Sequence, residues 1–357
     1  MKSALIVAGG TGGHIFPGLA VAQSLKLKGW GVQWAGGRGA VSSPSMESKL
    51  VPSYGFSFHA IDFSGVRGKG LASLLLLPLN MIRAFWQSAA LIRKVKPSVV
   101  VVFGGYISFP VGVAAKILGR NLVVHEQNSV AGMANRLLAR VADKVATAFP
   151  DVIKNALWVG NPLRREFLAQ DAPDVRAECR TGPLRLLVVG GSLGAKALNE
   201  IVPLALASIP LNKRPTVTHQ SGHAHIEALQ KNYAQTGVEA AVLPFIDDMA
   251  CAMANADLIV CRSGASTVTE IAAIGAAAVF VPFPFAVDDH QTKNARFLSD
   301  FGAAWLLPQE QLTVEILANL LQNTERFMTI SRGHLAHKMR KTNATEELVQ
   351  ICEGLAA

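Results

Sequence analysis

The chain has 357 residues, of which 50% are hydrophobic and 17% are charged. This length exceeds what one hydrophobic core commonly serves, so two domains are expected, and the composition excludes a disordered chain. A formal charge of +9 favours an anionic partner, which nucleic acid, acidic lipid or a phosphorylated substrate would satisfy. The apolar run in MKSALIVAGG is too short for a signal-peptide core and the four cysteines form no CxxC pair, so a cytoplasmic protein with reduced thiols is expected.

Short apolar runs alternate with helix-like segments along the whole chain. The first group is ALIVAGG, GVQWAGG, SVVVVFGG and NLVVHEQ; the second is LRLLVVGG, AAVLPF, DLIVCRSG and AAAVFVPFP. Continuous apolar strands separated by helices are typical of parallel sheets covered on both faces. The polar, proline-punctuated segment 160–183 separates the two groups. The predicted fold class is therefore α/β, with doubly wound domains at residues 1–162 and 163–357, and the last helix is a candidate to cross back to the first domain.

A glycine-rich turn follows the first predicted strand, in VAGGTGGHIFPGLA at 7–20. A dinucleotide-binding turn would need a third glycine where Ile15 stands, and an acid at the end of the second strand, which ends in AGGRG. A backbone cradle for an anion or a sugar at a helix N-terminus fits better, because free N–H groups and the helix dipole favour negative charge there. Glycines that serve packing alone are the alternative.

The segment at residues 65–96 combines apolar and basic residues. It has too few apolar residues before Arg83, and contains Pro78, so it cannot span a bilayer that needs roughly twenty apolar residues. Four apolar side chains share one helical face: Leu75, Leu79, Ile82 and Trp86. Contact with a membrane surface is predicted, with Lys69 and Arg83 near anionic headgroups; coverage of the sheet by the leucines is the alternative.

Two further strand-to-helix turns occur in the second half. The first, LLVVGGSLGAKALNE, repeats the plan of the N-terminal turn, and Lys196 lies between two alanines, so it is not a Walker motif. The second is CRSGASTVTEIAAIG, where Thr267 and Glu270 have the spacing of a capping box. A diphosphate on the exposed N–H groups, with Glu270 on ribose hydroxyls, is the functional alternative. Spacing alone leaves both open.

Eight segments occur in the order and spacing of one known family: GGTGGHIFPGLA, VFGGYISFP, HEQNSVAGMAN, VGNPLRREF, VVGGSLGAKALN, FIDDMA, CRSGASTVTEIAAIG and VPFPFAVDDHQTKNA. Over nearly its whole length the chain resembles the MurG family of bacterial peptidoglycan N-acetylglucosaminyltransferases. The resemblance implies the GT-B fold, two Rossmann-like domains around a cleft. It also implies transfer of N-acetylglucosamine (GlcNAc) from UDP-GlcNAc to the 4-hydroxyl of the muramoyl unit of lipid I, giving lipid II with inversion.

The resemblance places the donor mainly in the second domain. The implied donor positions are Arg164, Ser192, Ile246, Ala265, Ser266, Thr267, Val268, Thr269, Glu270 and Gln291. Ser192 would meet the donor phosphate, the backbone of Ile246 would bind the uracil edge, Glu270 the ribose and Gln291 the sugar hydroxyls. Ser266 departs from the bulky aliphatic residue that the family has after SGA.

The first domain would face the acceptor and the membrane. Thr11, Gly12, Gly13 and Asn128 match the family's contacts there. Imidazole has an ordinary pKa of about 6.5, so His14 is a serviceable general base for the acceptor hydroxyl. Glu126 is the rival base.

The remaining expectations concern metals, partners and competing functions. The acidic pairs at 247–248 and 288–289 form no DxD motif, and His219, His223 and His225 are expected at the surface, so no metal or cofactor is predicted. The implied partners are UDP-GlcNAc, lipid I, anionic membrane lipids and other cell-wall synthesis proteins, at the cytoplasmic face of the membrane, without nucleic acid. An NAD(P)-dependent oxidoreductase, a nucleic-acid binder, and a UDP-GlcNAc epimerase or glycolipid synthase are the competing functions.

Overall fold

The computed structural model describes residues 2–40, 43–63, 76–178, 180–191 and 193–356. The chain divides into two compact units. Unit 1 comprises Met1–Arg164 and Lys341–Ala357, and unit 2 comprises Arg165–Arg340. The last seventeen residues of the chain therefore belong with the first half. The first segment of unit 1 ends at Arg164, two residues beyond the predicted boundary at 162.

Strands and helices follow one another along both units, with a few consecutive elements of one type. The strands are β1 Ser3–Ala8, β2 Gly31–Gly37, β3 Gly39–Ala40, β4 Ser43–Pro44, β5 Ser57–Ile61, β6 Val99–Gly104, β7 Asn121–Glu126, β8 Lys144–Thr147, β9 Leu157–Trp158, β10 Arg185–Val189, β11 Thr216–Gln220, β12 Ala241–Leu243, β13 Leu258–Cys261, β14 Ala277–Phe280 and β15 Trp305–Leu306. The α-helices are α1 Gly12–Leu27, α2 Met46–Ser53, α3 Leu77–Val95, α4 Ser108–Ile117, α5 Met133–Leu138, α6 Arg165–Leu168, α7 Pro173–Ala177, α8 Lys196–Ser208, α9 Ile226–Thr236, α10 Met249–Asn255, α11 Ala265–Ile274, α12 His290–Ser299, α13 Val314–Gln322, α14 Arg326–Lys338 and α15 Ala344–Leu355.

Each unit is built on one parallel sheet. The strand order is β5-β2-β1-β6-β7-β8-β9 in unit 1 and β12-β11-β10-β13-β14-β15 in unit 2, and every pairing in both sheets is parallel. The prediction of an α/β protein with two doubly wound sheets is confirmed. In such sheets the carboxyl ends of the strands are where ligands bind.

The inner strand β1 shows why the sheet of unit 1 is covered on both faces. Ala4 and Ile6 belong to a core that includes buried residues of α1 and α15, whereas Leu5 and Val7 belong to a second core with α3 and α4. Successive side chains of a strand point to opposite faces, so a continuous apolar run supplies both cores. Unit 2 has its own core, formed around Val188.

All eight apolar runs named from the sequence form strands, but others were missed. One of them is β11, which lies between β12 and β10 in the sheet of unit 2 and has the mostly polar sequence TVTHQ. The segment 160–183, predicted as a connection without periodicity, contains the short helices α6 and α7.

Candidate active site

The N-terminal glycine turn of unit 1 leads from β1 directly into α1. Gly10 has a φ of +97°, and Thr11 is the N-cap residue of α1, in an extended conformation. The Thr11 hydroxyl bonds to the ring of His14, with Oγ1 and Nδ1 3.0 Å apart, instead of capping the helix. A methyl group on Gly104 at the end of β6 would lie 2.7 Å from His14 Cδ2. The glycine at that position therefore makes room for the imidazole.

Glu126, the rival base, lies at the end of β7 and is only 2% exposed. Its Oε1 accepts from the backbone N–H of Asn128 at 2.9 Å, and its Oε2 accepts from the N–H of Gly132 at 3.0 Å and from Asn135 Nδ2 at 2.9 Å. The side-chain amide of Asn128 also donates to Oε1 at 3.3 Å. Both oxygens therefore organise the loop 127–132, and Asn128 is fixed by that loop.

His125 precedes Glu126 and is completely buried. Its Nε2 donates to the carbonyl of Gly160 at 2.9 Å, and its Nδ1 accepts from Gln127 Nε2 at 2.8 Å. Burial lowers the pKa of His125 to about 4, although the bond to Gly160 opposes that shift. His125 is therefore neutral at physiological pH, and its two bonds link β7 to the start of the chain segment that leaves unit 1.

Unit 2 contains a cavity of about 610 Å³ between its two glycine turns. The lining comprises Gly190, Gly191, Leu193, Gly194, Ala195, Lys196, Ala197, Glu200, Arg262, Gly264, Thr267, Phe283, Gln291 and Gln309. The first turns of α8 and α11 both border this space, which we call the unit 2 cavity. Two helix N-termini directed to one space favour an anionic ligand.

The start of α11 decides between the two interpretations of Thr267. The helix begins at Ala265 with Gly264 as the N-cap, and Gly264 has no side chain to cap it. Thr267 is therefore the third helical residue and Glu270 the sixth, so the capping-box interpretation is wrong. The backbone N–H groups of the first turn have no partner within the helix.

Arg262 and Gln291 order the wall of the unit 2 cavity. Arg262 donates to the carbonyls of Val281 and Pro282, and its Nη2 lies 2.6 Å from Gln309 Oε1. Gln291 Oε1 accepts from the N–H of Phe283 at 2.9 Å. Arg262 and Gln309 were not predicted from the sequence as site residues. The available signal was an arginine immediately before a glycine turn, without any indication of its distant partner.

The predicted donor residues separate into groups. Thr267 and Gln291 line the unit 2 cavity; Ala265, Ser266, Val268, Thr269 and Glu270 lie on the first two turns of α11; and buried Ile246 lies between β12 and α10. Ser192 lies outside the described residues. Arg164 belongs to unit 1, where its guanidinium carbon is 5.2 Å from the centroid of the Phe16 ring on the first turns of α1.

One expectation about histidines is wrong. His219 is buried, with Nδ1 2.9 Å from the hydroxyl of Tyr233 and Nε2 3.1 Å from Asn199 Oδ1. Burial lowers its pKa to about 3. His223 is exposed and stacks on Phe245, as a surface histidine would. Across the described ranges, no three His, Cys, Asp or Glu side chains are grouped to hold a metal ion.

The predicted membrane segment forms α3, which has apolar residues on two faces. Ala84, Ser88 and Ile92 are buried, whereas Leu79, Ile82 and Trp86 are exposed by 64%, 55% and 59%. A cavity of about 310 Å³ beside them is lined by Met81, Ile82, Phe85, Trp86, Phe109, Pro110 and Val113.

One basic residue of the predicted membrane segment, Arg83, lies on α3 and forms an ion pair. Arg83 Nη2 pairs with Asp62 at 3.2 Å. Leu75 and Lys69 lie outside the described residues. In the part of the chain that the structure describes, no helix has the length and apolarity needed to cross a membrane.

Comparison with known proteins decides the family. Residues 4–147 match the glycosyltransferase family 28 N-terminal domain, and residues 185–351 match its C-terminal domain. A relative from Paracidovorax citrulli is 63% identical over 356 residues, which cover 100% of this chain and 99% of the relative. The chain belongs to glycosyltransferase family 28. The crystal structure of Acinetobacter baumannii MurG matches this family 28 chain with a TM-score of 0.86 and 40% identity, over 99% of this chain and all of the other.

The relatives' names describe one activity. The protein from P. citrulli and one from Albidiferax ferrireducens, 62% identical over 98% of this chain and 90% of its own length, are both called UDP-N-acetylglucosamine–N-acetylmuramyl-(pentapeptide) pyrophosphoryl-undecaprenol N-acetylglucosamine transferase. The predicted GT-B fold with two Rossmann-like domains, the resemblance to the MurG family and the prediction of a glycosyltransferase are confirmed. The family 28 assignment favours a glycosyltransferase over the oxidoreductase and the non-enzymatic nucleic-acid binder.

Proposed function

We propose that this family 28 enzyme transfers GlcNAc from UDP-GlcNAc to the 4-hydroxyl of the N-acetylmuramoyl unit of lipid I, forming lipid II with inversion. The observation that supports this most strongly is the 63% identity, along the full chain, to a protein whose name gives this donor and acceptor. A UDP-GlcNAc epimerase or a glycolipid synthase would use a similar donor site, so the acceptor distinguishes them.

The unit 2 cavity is the proposed donor site. Backbone N–H groups at the starts of α8 and α11 bind the diphosphate, and their dipoles stabilise the charge that develops on UDP as it leaves. Lys196, in the cavity lining and 3.7 Å from Glu200, is the proposed cation beside the diphosphate. Glu270 on α11 accepts from the ribose hydroxyls, and the backbone of Ile246 binds uracil. Because Gln291 Oε1 already accepts from Phe283, its NH₂ group is the part that donates to a sugar hydroxyl.

His14 is the proposed general base. We propose the tautomer in which Nδ1–H donates to Thr11 Oγ1, because Nε2 then has the lone pair that takes the proton. The acceptor oxygen bonds to C1 of GlcNAc as the bond from C1 to the diphosphate breaks, which inverts the configuration. Glu126 suits this role less, because both of its oxygens accept hydrogen bonds inside the fold. Gly12 and Gly13, at the start of α1, are proposed to contact the acceptor, together with Asn128.

The exposed face of α3 is the proposed contact with the membrane that contains the acceptor. Leu79, Ile82 and Trp86 lie at positions i, i+3 and i+7, so they form one apolar face beside the cavity on α3 and α4. Arg93 and Lys94 in the last turn of α3 supply positive charge for anionic headgroups. The enzyme would then work as a peripheral protein at the cytoplasmic face.

The test is transfer of radiolabelled GlcNAc from UDP-GlcNAc to a short-chain lipid I analogue. We expect lipid II from the native chain, a kcat lowered by about 10²- to 10⁴-fold with unchanged UDP binding for His14→Ala, and weakened donor binding for Glu270→Ala. A native chain that epimerises or hydrolyses UDP-GlcNAc, and transfers nothing to the analogue, would show that the proposed acceptor is wrong.

A further inference from the structure

A buried carboxylate lies beneath the N-terminal glycine turn, outside every motif that the sequence analysis used. Glu47 is in the first turn of α2 and is 0% exposed. Its Oε1 accepts from the N–H of Gly37 at 3.1 Å, and its Oε2 accepts from the N–H of Gly10 at 3.4 Å. These bonds join α2 to the end of β2 and to the turn after β1. Burial of a carboxylate is unfavourable, and two neutral donors offset it only in part, so stability alone explains Glu47 poorly.

The neighbouring glycines leave the space that this side chain occupies. A methyl group on Gly9 would lie 2.5 Å from Glu47 Oε1, and one on Gly36 would lie 2.8 Å from Glu47 Cγ. One on Gly37 would lie 2.4 Å from the hydroxyl oxygen of Tyr106. Burial raises the pKa of Tyr106, and the charge of Glu47 raises it further. Three backbone positions therefore lack side chains where Glu47 and Tyr106 pack.

The backbone N–H groups at the two ends of the turn therefore differ in their surroundings. The N–H of Gly10 points to the carboxylate, whereas Gly12 and Gly13 are the first two residues of α1, whose N–H groups have no partner within the helix. A carboxylate at Gly10 repels a second anion there. An acceptor phosphate is thereby directed toward the N–H groups beside His14.

We propose that Glu47 is a positioning residue for the transfer reaction, which holds the turn that presents Gly12, Gly13 and His14 to the acceptor. This inference rests on the proposed function. Glu47 touches neither substrate and acts through the backbone of Gly10 and Gly37. Replacement by glutamine keeps the volume but sets an NH₂ group against one of the two N–H donors.

The experiment compares full-length Glu47→Gln and Gly9→Ala with the control Asp143→Asn. Asp143 is also an acid of unit 1 that accepts from a backbone N–H, that of Leu122 at 2.7 Å, and it immediately precedes β8, which pairs with neither β1 nor β2. We expect both turn variants to lower kcat with the lipid I analogue by about 10- to 100-fold, because a misplacement of about 1 Å is enough for such a loss. The stoichiometry and affinity of UDP binding should stay unchanged. Hydrogen exchange in the peptide 8–15 should become at least tenfold faster, as judged against Asp143→Asn.

Each outcome decides the inference. Loss of kcat and faster exchange at 8–15, with normal UDP binding, support it. A kcat equal to that of Asp143→Asn overturns it, and so does a fall in kcat that only follows a fall in the number of UDP sites, since that indicates unfolding. If the native chain transfers nothing, the proposed function fails; unchanged exchange at 8–15 would then overturn the role of Glu47 separately, and faster exchange would support it.

Discussion

Gly194 lies in the turn between β10 and α8, at a φ of +78°, and a methyl group there would be 1.9 Å from the carbonyl oxygen of Ser221. Gly194→Ala must therefore push the turn away from β11 and change the shape of the unit 2 cavity. We expect UDP affinity to fall by about tenfold or more, because backbone donors lose their alignment with the diphosphate, and stability to fall by about 1–3 kcal/mol. Gly237→Ala is the matched control, since Gly237 has a φ of +64° with nothing within 4 Å of the added methyl group. Calorimetric titration with UDP would contradict the prediction if both variants bound equally.

Glu126 provides the second prediction for a single residue. In Glu126→Gln, one carboxylate oxygen is replaced by an NH₂ group, which cannot accept from the N–H donors that face it. The loop 127–132 therefore loses hydrogen bonds. We expect a loss of about 1–3 kcal/mol in the free energy of unfolding, measured in urea, and transfer activity that follows the folded fraction. His14→Ala should behave in the opposite way, with normal stability and low kcat. A stable Glu126→Gln protein with a kcat as low as that of His14→Ala would identify Glu126 as the base.

The strand β11 connects a buried histidine to the pH dependence of unit 2. The pKa of His219 falls from an ordinary 6.5 to about 3 on folding, so the unfolded chain binds the proton more tightly. The stability contribution is fully present above pH 6.5 and is lost as the pH falls toward 3. By pH 5 we expect unit 2 to lose about 2 kcal/mol relative to pH 7.

The measurement for His219 is hydrogen exchange of residues 185–220 at pH 7 and pH 5, corrected for intrinsic rates. His219→Gln should be less stable at pH 7 but should lose most of the pH-dependent difference. His223→Gln is the control, because His223 is exposed and should leave the wild-type pH dependence intact. If the wild-type difference survives in His219→Gln, another group causes it.

Elements whose burial follows from composition could be predicted from sequence, and those stabilised by polar contacts could not. The run SVVVVFGG predicts β6 because parallel strands are apolar on both faces. TVTHQ does not predict β11, since His219 and Gln220 are buried through bonds to α8, α9 and the turn after β10. Glu47 and Arg262 were missed for the same reason, because Glu47 is 37 residues from Gly10 and Arg262 is 47 residues from Gln309. The glycine turns themselves are local, and their sequences identified them.

At the scale of the whole molecule, the C-terminal helix α15 completes unit 1. Leu348 and Cys352 of α15 lie in the same core as Leu19 of α1, and Lys28 at the end of α1 pairs with Glu346 at 2.9 Å. The chain therefore enters unit 2 once, at 165, and leaves it once, at 340. Unit 1 contains both the proposed base and the apolar face of α3. If that face lies on the membrane, the unit that contacts the membrane is also the unit that contains His14.

This arrangement makes a prediction about binding to vesicles that contain anionic lipid. The double variant Ile82→Glu and Trp86→Glu replaces two exposed apolar side chains, each worth about 1.5–3 kcal/mol when fully buried, so vesicle affinity should fall by roughly tenfold or more. Transfer to a short-chain acceptor in detergent-free solution should stay near the native rate, because neither residue belongs to the proposed reaction site. Phe301→Glu is the control, since Phe301 is 68% exposed in unit 2 and lies on no proposed membrane face. Sedimentation with vesicles would contradict the assignment of α3 if the double variant bound as well as the native chain. An equal loss in the double variant and in Phe301→Glu would contradict it too, because apolar exposure in general, rather than this face, would then govern adsorption.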